Sequence, residues 1–387
     1  MLDFLTCGES HGRMLSAVLE GMPAGLLLEP RDIDSDLERR QKGYGRGSRS
    51  TCIEKDKIEI ISGVRWGKTT GSPIGLIINN KDWENRKKEM SIYEKDFNKN
   101  DFISVPRPGH ADLAGMIKYD ILDAKPILER ASARNTAVVT AIGAVCKKYL
   151  QEFGIEVIGY VRSIADVDAG LFPIHNIAKF RKKVETSIVR CPDKNLSNNM
   201  AVRIDKAKKQ GDTLGGIVCI DVINVPAGLG SYTQWDKRLD ALLAQCLMSI
   251  PSVKTVSIGD DSVSKRYGSH THDTIIYNKK NGYHHTSNHA GGIEGGISNG
   301  EPIRSCISLK PIPTLGKPLD TIDVRTKKIS KAAVVRSDVC VVPSAVVVAE
   351  AMAAFAIARA HREKFGGDNI RDIKKNVDTY QKRVKSM

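Results

Sequence analysis

The segment SAVVVAEAMAAFAIARAHREKFGG, from Ser344 to Gly367, constrains the fold more than any other part of the sequence. Its composition predicts a long helix that ends at the two glycines, and apolar residues occur on almost every side of that helix. Such a helix is stable only where other elements surround it. We therefore expect it at the centre of the protein or of an oligomer.

A second long helix is predicted from about Pro126 to Phe153, with a proline at its start and Gly154 after its end. Small residues dominate one face, so this helix can pack closely against a neighbour. The first 80 residues read as short strands and turns. Further elements are a helix in QWDKRLDALLAQCLMSI, a polar loop from Gly259 to Ser298, and strands in IEVIGYVRSI, MAVRID and GGIVCIDVINV. Runs of strands and runs of helices indicate a mixed α+β fold.

Two short similarities suggest internal repetition. The stretch GKTTGSPIGLII resembles GDTLGGIVCIDV, and PAGL occurs at Pro23 and again at Pro226. Two related halves within one compact unit would explain both similarities, and chance is the alternative. We expect a single domain over residues 1–367 and a basic, peripheral tail over residues 368–387.

Composition narrows the class of protein. The chain has 387 residues, of which 41% are apolar, and this is enough to bury a sizeable core. The sequence starts without a leader pattern and has no apolar run near the length of a membrane span, so we expect a cytoplasmic protein. The net charge of +14 points to an anionic partner, which leaves nucleic acid, an acidic membrane surface and small polyanionic metabolites open.

Eight cysteines are spread singly along the chain, without a C-x-x-C pair. Their spacing indicates neither a zinc site nor a disulfide framework. We expect buried free thiols.

The stretch CGESHGR, from Cys7 to Arg13, contains the G-x-S-x-G pattern of a hydrolase nucleophile elbow. That elbow belongs between a central strand and a helix, after several earlier strands of the same sheet. Ser10 has a single short strand before it, so a serine hydrolase is the weaker interpretation. His11 becomes the residue of interest.

Other motifs are less specific. GVRWGKT, from Gly63 to Thr69, has three residues between its glycines where a P-loop needs four, and we reject it. Five of the nine histidines fall in one loop that lacks a recognisable metal-ligand spacing, so a solvated or ligand-covering loop is the better interpretation and no metal is expected. His11 and His110 instead lie in small-residue loops beside Arg13 and Arg107.

Arginines cluster beside glycine-rich loops, at Arg39, Arg40, Arg46 and Arg49, and in short motifs at Arg107, Arg130, Arg134 and Arg336. The guanidinium group suits bidentate binding of phosphate and carboxylate. Together with the loop histidines, this pattern predicts a small polyanionic substrate and acid–base chemistry.

The sequence resembles the chorismate synthase family over essentially its whole length. The similarity lies in GESHGR, RRQKGYGRGSR, SGVRWGKTTGSPI, NKDW, PRPGHADL, ERASARNTA, SNHAGGIEGGISNGEPI, KPIPTL and RSDVCVVPSAVVVAEAM. The match is uneven at SVKTVSIG and at Asn135, which leaves the exact contacts near residues 251–258 open.

The resemblance implies a carbon–oxygen lyase of the shikimate pathway, which leads to aromatic amino acids. Its reaction is a 1,4-anti elimination of phosphate and a C6 hydrogen from 5-enolpyruvylshikimate 3-phosphate, and it requires reduced FMN (FMNH2) without net redox change. By the same resemblance His11 protonates the departing phosphate, His110 keeps the reduced flavin suitably protonated, and Asp338 lies near flavin N5.

The resemblance also assigns binding residues. Those implied for the substrate are Ser10, Arg40, Arg46, Arg49, Arg107 and Arg134, and Arg40 and Arg46 are alternative contacts for a nicotinamide nucleotide. Those implied for FMN are Arg130, Ala131, Ser132, Pro251, Ser252, Gly296, Lys310, Pro311, Ile312, Pro313, Thr314 and Arg336.

The family resemblance further implies a β-α-β sandwich, with long central helices flanked by antiparallel sheets, and a homotetramer. Reduced FMN would come from a separate flavin reductase or from NADPH. Nucleic acid is not expected as a partner, because aromatic residues make up only 5% of the chain and the basic residues are dispersed. No membrane partner is expected either.

Overall fold

The computed structural model describes residues 1–47, 55–279, 282–333 and 338–387. The strands in these ranges are β1 Asp3–Cys7, β2 Met14–Glu20, β3 Glu59–Ile60, β4 Val64–Arg65, β5 Lys68–Thr69, β6 Ile74–Asn79, β7 Glu156–Ile164, β8 Val167–Asp168, β9 Gly216–Ile223, β10 Val253–Ile258, β11 Ile275–Asn278, β12 Gly282–His285, β13 Ile293–Glu294, β14 Ile297–Ser298, β15 Ile303–Leu309, β16 Asp320–Ile322 and β17 Ile329–Lys331. The helices are α1 Pro30–Gln41, α2 Trp83–Arg86, α3 Asp112–Tyr119, α4 Lys125–Arg130, α5 Thr136–Gln151, α6 Ile177–Thr186, α7 Lys194–Gln210, α8 Leu239–Met248, α9 Val342–Phe365 and α10 Ile370–Ser386.

Two larger sheets dominate the strand structure. One has the order β1-β2-β6-β3, and the other has the order β10-β15-β9-β7-β8. All strand pairs within these two sheets are antiparallel. The antiparallel sheets and long helices confirm the predicted mixed α+β class.

The two longest apolar helices, α5 and α9, each pack against one of the two sheets. Helix α5 packs against β2 and β6 of the four-stranded sheet, and α9 packs against β7 and β9 of the five-stranded sheet. The helices also pack along one another, and α1 contacts both of them. The core therefore runs from one sheet through α5 and α9 to the other.

Helix α9 confirms the predicted central helix. It is long and apolar enough to span a membrane by length and composition, yet 94% of its most apolar window is buried inside the protein. Its buried residues lie on every side, as the all-round apolar pattern requires. The helix ends at Gly366, which has a φ of +56°.

Helices α5 and α9 are in close contact at Gly143. A Cβ atom placed on Gly143 would lie 2.2 Å from the Cβ of Ala351 and 2.3 Å from its Cα. No side chain larger than hydrogen fits there without moving one backbone, since real Cβ atoms do not approach that closely. The small-residue face of α5 therefore sets the distance between the two helices.

A buried ion-pair network fixes α1 against these helices. Glu350 of α9 is 2% exposed and accepts hydrogen bonds from Arg39 of α1, Lys147 of α5 and the backbone N–H of Gly159. Burial alone would raise the pKa of Glu350, but the two cations outweigh it and hold that pKa well below its usual value. Glu350 is therefore ionised at neutral pH.

Several predictions about secondary structure were wrong. The predicted helix from Pro126 to Phe153 is divided into α4 and α5, with a 3₁₀ turn over Ala133–Asn135 between them. The first 80 residues contain helix α1 in addition to strands, and MAVRID lies within helix α7 instead of a strand. The predicted polar loop from Gly259 to Ser298 contains the hairpins β11–β12 and β13–β14.

The prediction of free thiols was wrong for two cysteines. Cys219 of β9 and Cys306 of β15 form a disulfide because the register of these neighbouring strands places them directly opposite each other. The pair is 87 residues apart in sequence, so linear spacing did not reveal it. Among the described residues, Cys7 is a free, exposed thiol, and the free, buried thiols are Cys146, Cys191, Cys246 and Cys340.

Replacing Gly143 by alanine tests the helix contact. We expect Gly143→Ala to lower the free energy of unfolding by about 2 kcal/mol, because the added methyl group forces α5 and α9 apart. Gly268→Ala is the matched control, since a Cβ there meets only ordinary contacts at 3.5 Å or more and Gly268 does not have a positive φ. Urea unfolding of both variants measures the difference, and equal stabilities would contradict this account of the contact.

Candidate active site

A cavity of about 260 Å³ lies at the N-terminal ends of α5 and α9. Thr136, the first residue of α5, and Ser344, in the first turn of α9, both line it. Three arginines also line the cavity: Arg40, Arg46 and Arg134. Helix N-termini carry partial positive charge, so helices and side chains together favour an anionic ligand.

The remaining wall of the cavity is largely apolar. It is formed by Ala133, Ile250, Pro251, Leu309, Ile312, Val341, Ala345 and Val348. An arginine side combined with an apolar wall suits a ligand that has both charged groups and a flat or hydrocarbon part. Eight residues predicted for the site line this one cavity: Arg40, Arg46, Ser132, Arg134, Pro251, Ser252, Ile312 and Asp338.

Asp56 holds two of the arginines in place. Its side chain is fully buried, and it accepts hydrogen bonds from Arg134 at 2.6 Å and from Arg40 at 3.2 Å. Arg40 also donates to the hydroxyl of Thr136. Burial lowers the pKa of Arg40 below its usual value, and Asp56 counteracts that effect. The carboxylate thus offsets the repulsion between two buried cations.

Asn80, just after β6, connects Arg134 to the loop that carries His11. Its amide oxygen accepts a hydrogen bond from Arg134 Nε at 3.0 Å. Its amide nitrogen donates to the backbone carbonyls of Glu9 and Gly12 at 3.1 and 2.8 Å. One side chain therefore sets the position of the loop relative to the cavity.

Arg46 and Asp338 face each other across the cavity wall. Arg46 Nη1 donates to Asp338 Oδ2 at 2.6 Å and to the Ser344 hydroxyl at 3.3 Å. The backbone N–H of Gly47 donates to the other oxygen of Asp338 at 2.6 Å. The Nε atom of Arg46 is buried, and none of the described residues accepts a hydrogen bond from it.

The GESHGR loop joins β1 to β2 of the four-stranded sheet. Gly8 has a φ of +103°, and a Cβ there would lie 2.3 Å from the carbonyl oxygen of Met14, so the turn requires glycine. His11 Nδ1 lies 2.7 Å from Glu129 Oε1, and the backbone N–H of His11 donates to Glu129 Oε2 at 2.7 Å. Glu129 is buried in α4.

Ser10 is 2% exposed and accepts a hydrogen bond from the hydroxyl of Ser132 at 3.1 Å. It lies in a connection between two antiparallel strands, whereas a nucleophile elbow joins a strand to a helix. The ring of the adjacent His11 is directed to Glu129. This arrangement removes the structural basis of the serine hydrolase interpretation.

His110 and Arg107 share one carboxylate, Asp112, whose side chain is fully buried at the start of α3. His110 Nδ1 bonds to Asp112 Oδ1, and Arg107 donates to Asp112 Oδ2 through Nε at 2.9 Å and through its backbone N–H at 3.1 Å. Burial alone would raise the pKa of Asp112, but the hydrogen bonds from His110 and Arg107 lower it well below the usual value.

Segments predicted to bind the cofactor meet around the loop that carries His110. Lys310 donates its backbone N–H to the carbonyl of Ser252 at 2.9 Å and its ammonium group to the carbonyl of Gly109. Arg107 reaches the hydroxyl of Thr314 at 3.5 Å. The run from Lys310 to Thr314, which includes Pro311 and Pro313, is thereby held beside the His110 loop.

Not every predicted residue lines the cavity. Arg130 binds the backbone of Thr6 and Gly8 and supports the GESHGR loop, and Ala131 follows it. Gly296 lies in the β13–β14 hairpin, where its carbonyl accepts the N–H of Leu239. The predicted residues Arg49 and Arg336 lie outside the described residues.

The histidine-rich segment has its own polar contacts. His285 Nε2 lies 3.3 Å from Glu294, and His289 Nδ1 lies 3.1 Å from Asp273. Within the part of the chain that the structure describes, no group of three histidine, cysteine or acidic side chains is arranged to hold a metal ion.

Residues 2–361 match a family model described as chorismate synthase. The chain belongs to the chorismate synthase family. It is 48% identical to the chorismate synthase of Endomicrobium trichonymphae, with both chains covered completely, and 51% identical to that of Syntrophotalea carbinolica over 99% of this chain and 98% of the relative.

A solved chorismate synthase structure resembles the chain in three dimensions. The TM-score is 0.81 at 41% sequence identity, and the alignment covers 100% of this chain and 99% of the other. Chorismate synthases are lyases, and the chain is an enzyme of that type.

Sequence reasoning missed residues that hold the candidate site together. Glu129, Asp112, Asp56 and Asn80 contact the predicted histidines and arginines, yet none of them was among the predicted site residues. Three of them lie inside motifs already quoted for the resemblance: Glu129 in ERASARNTA, Asp112 in PRPGHADL and Asn80 in NKDW. The available signal was physical: buried cations need buried carboxylates, so an arginine cluster predicts acidic partners nearby.

Replacing Asp112 by asparagine tests its role as a shared anchor. We expect Asp112→Asn to lower the free energy of unfolding by about 3 kcal/mol at pH 7, because Arg107 and His110 lose a buried ionic partner. The folded pKa of Asp112 is depressed, so its contribution is complete well above the ordinary value of 3.8 and declines as pH falls through and below that value.

Urea unfolding of wild type and Asp112→Asn between pH 3 and pH 7 measures this dependence. The control is Asp236→Asn, since Asp236 is exposed in a surface turn. A stability difference that stays constant, or grows as the pH falls, would contradict the assignment.

Proposed function

We propose that the chain converts 5-enolpyruvylshikimate 3-phosphate into chorismate by 1,4-anti elimination of phosphate and a C6 hydrogen. One observation carries the proposal: seven of the residues assigned by the family resemblance to the substrate or to the flavin line a single cavity, and three of the seven are arginines. The substrate carries a phosphate and two carboxylates, which match a wall of three arginines at two helix N-termini.

We propose that Arg40, Arg46 and Arg134 bind these anionic groups, with Arg107 and Ser10 contributing from the neighbouring loops. Arg40 and Arg134 are pre-oriented by Asp56, so little side-chain entropy is lost on binding. Arg49 belongs to the same proposed set and lies outside the described residues. Arg40 and Arg46 are also the residues that would meet the phosphate of a nicotinamide nucleotide.

We propose reduced FMN as the cofactor. The chain's donor set fits a flavin, because the cavity combines an apolar wall with Ser132, Ser252 and the buried Nε of Arg46, which none of the described residues engages. The segments Pro251–Ser252 and Lys310–Thr314 would hold it. Reduced FMN, when bound, supplies electron density to the breaking C3–O bond and accepts hydrogen from C6 without net redox change.

The chain's own acid–base groups handle protons in this proposal. His11 donates a proton to the departing phosphate. Protonation reduces the negative charge on the phosphate and so makes it a better leaving group. His110, which bonds to Asp112, keeps the reduced flavin suitably protonated. Asp338 accepts hydrogen bonds from Arg46 and Gly47 and places a carboxylate at the cavity wall. Imidazole suits both histidine roles because it exchanges protons near neutral pH.

We further propose a β-α-β sandwich of two pseudo-two-fold halves over residues 1–367, followed by a basic tail over residues 368–387. In sheet order, β1, β2, β6 and β3 correspond to β7, β9, β15 and β10. PAGL follows β2 and again β9, which supports this correspondence. GKTTGSPIGLII ends in β6 whereas GDTLGGIVCIDV ends in β9, so that similarity does not join corresponding strands.

A cytoplasmic homotetramer is the proposed assembly. Leu5 and Val18, opposite each other on β1 and β2, are 75% and 48% exposed on the outer face of the four-stranded sheet. A second copy packed there would remove this apolar surface from water. We propose that reduced FMN comes either from NADPH or from a separate flavin reductase.

An anaerobic assay with the substrate and chemically reduced FMN tests the proposal. We expect wild type to release phosphate and to form chorismate, measured by absorbance, because the cavity binds both ligands. His11→Ala and His110→Ala should each lower kcat by about 100-fold or more, since a general acid or base typically contributes that much. His175→Ala, at an exposed position, is the control and should retain activity.

Turnover without flavin, or full activity in both histidine variants, would contradict the mechanism. Two rival functions have distinct signatures. Salt-sensitive binding of nucleic acid without FMN binding would favour a nucleic-acid-binding protein. Labelling by a serine-directed phosphonate probe, lost in Ser10→Ala, would favour a hydrolase.

A further inference from the structure

Glu129 directs both of its carboxylate oxygens to a single residue. Oε2 accepts the backbone N–H of His11, and Oε1 lies 2.7 Å from the ring nitrogen Nδ1 of the same histidine. The Glu129 side chain is 3% exposed, whereas that of His11 is 21% exposed. The carboxylate is therefore a buried anchor beneath a histidine that remains accessible from one side.

This geometry determines which ring nitrogen can react. An ionised carboxylate only accepts hydrogen bonds, so Nδ1 must carry a hydrogen. In neutral His11 the hydrogen then sits on Nδ1, and Nε2 is the nitrogen that gains and loses a proton. The nearest described acid on that side is Asp82, whose Oδ2 is 4.0 Å from Nε2 and 3.8 Å from Arg86 Nε.

We propose that Glu129 is a positioning residue that fixes the tautomer and orientation of His11, so that Nε2 delivers the proton to the departing phosphate. This inference rests on the proposed function of His11. As the C3–O bond breaks, the proton on Nε2 moves to a phosphate oxygen, and His11 becomes neutral with its hydrogen on Nδ1. The Glu129 carboxylate accepts the Nδ1 hydrogen throughout and stabilises the imidazolium before the transfer.

The side chain and the backbone of Glu129 have separable roles. Its carbonyl accepts the backbone N–H of Ser10 at 3.2 Å, and this bond does not depend on the side chain. A substitution that keeps the helix intact therefore leaves one loop contact in place. Loss of function in such a variant reports on the carboxylate itself.

Glu129→Gln replaces two acceptor oxygens by one oxygen and one amide donor. Both groups that face it on His11 are donors in the wild-type tautomer, so the amide N–H of the variant can bond Nδ1 only when the ring carries its hydrogen on Nε2, and the imidazolium form meets an N–H group. We expect kcat to fall about 100-fold while KM changes little, because misplacement of a reacting group affects the transition state more than substrate binding. Glu129→Asp keeps the charge on a shorter side chain and should recover part of the loss.

The tautomer can be read without turnover. We expect ¹⁵N NMR of histidine-labelled wild type, with the His11 signals assigned by their absence in His11→Ala, to show the neutral ring protonated at Nδ1. In Glu129→Gln the ring should shift to Nε2 protonation or to a mixture. Glu363→Gln, an exposed glutamate change in α9, is the charge-matched control and should alter neither spectrum nor kcat.

Several results would overturn the inference: a wild-type ring protonated at Nε2, an unchanged kcat in Glu129→Gln, or a kcat loss in both Glu129 variants that follows only their thermal stability. If wild type fails to turn over the substrate, the proposed function fails. The NMR result on the free protein still decides whether Glu129 fixes the His11 tautomer.

Discussion

The close contact of Gly143 with Ala351 is the constraint on which the rest of the structure depends. It sets the separation of α5 and α9, and each of these helices carries one of the two larger sheets. Because both helices begin at the same cavity, their separation also determines where the arginines and the apolar wall stand relative to each other. The close contact between the backbones of α5 and α9 therefore affects both the packing of the core and the geometry of the site.

The candidate site depends on carboxylates, three of them buried and Asp338 partly exposed, that lie beside a concentration of arginine and histidine side chains. The hydrogen-bonded pairs are Asp56 with Arg40 and Arg134, Asp338 with Arg46, Asp112 with Arg107 and His110, and Glu129 with His11. Each carboxylate fixes the direction of its partners' hydrogen bonds, and those beside arginines also compensate for the desolvation of the guanidinium groups. Such pre-orientation is what an enzyme for a small polyanion needs, since little reorganisation remains when the ligand binds.

The division between α4 and α5 illustrates where local sequence reasoning fails. Helical spacing over PILERASARNTAVV predicted one continuous helix, and the residues on either side are helical. Ser132 instead caps a short 3₁₀ turn by accepting the N–H of Arg134, whose guanidinium is drawn to Asp56 and Asn80. Asp56 and Asn80 lie in segments far from Arg134 in sequence. The hydrogen bonds to them outweigh the local helix propensity, which by itself would favour a continuous helix.

The sequence by itself determined the mixed α+β class, the central helix, the family and a set of histidines and arginines that suits a polyanionic ligand, because each of these is encoded in periodicity, composition or contiguous motifs. Only the tertiary structure decided which carboxylate meets which cation, that Cys219 faces Cys306, and which predicted residues share one cavity. Those outcomes depend on strand register and on helix separation. Both arise from contacts between segments far apart in the chain, for which linear spacing carries no information.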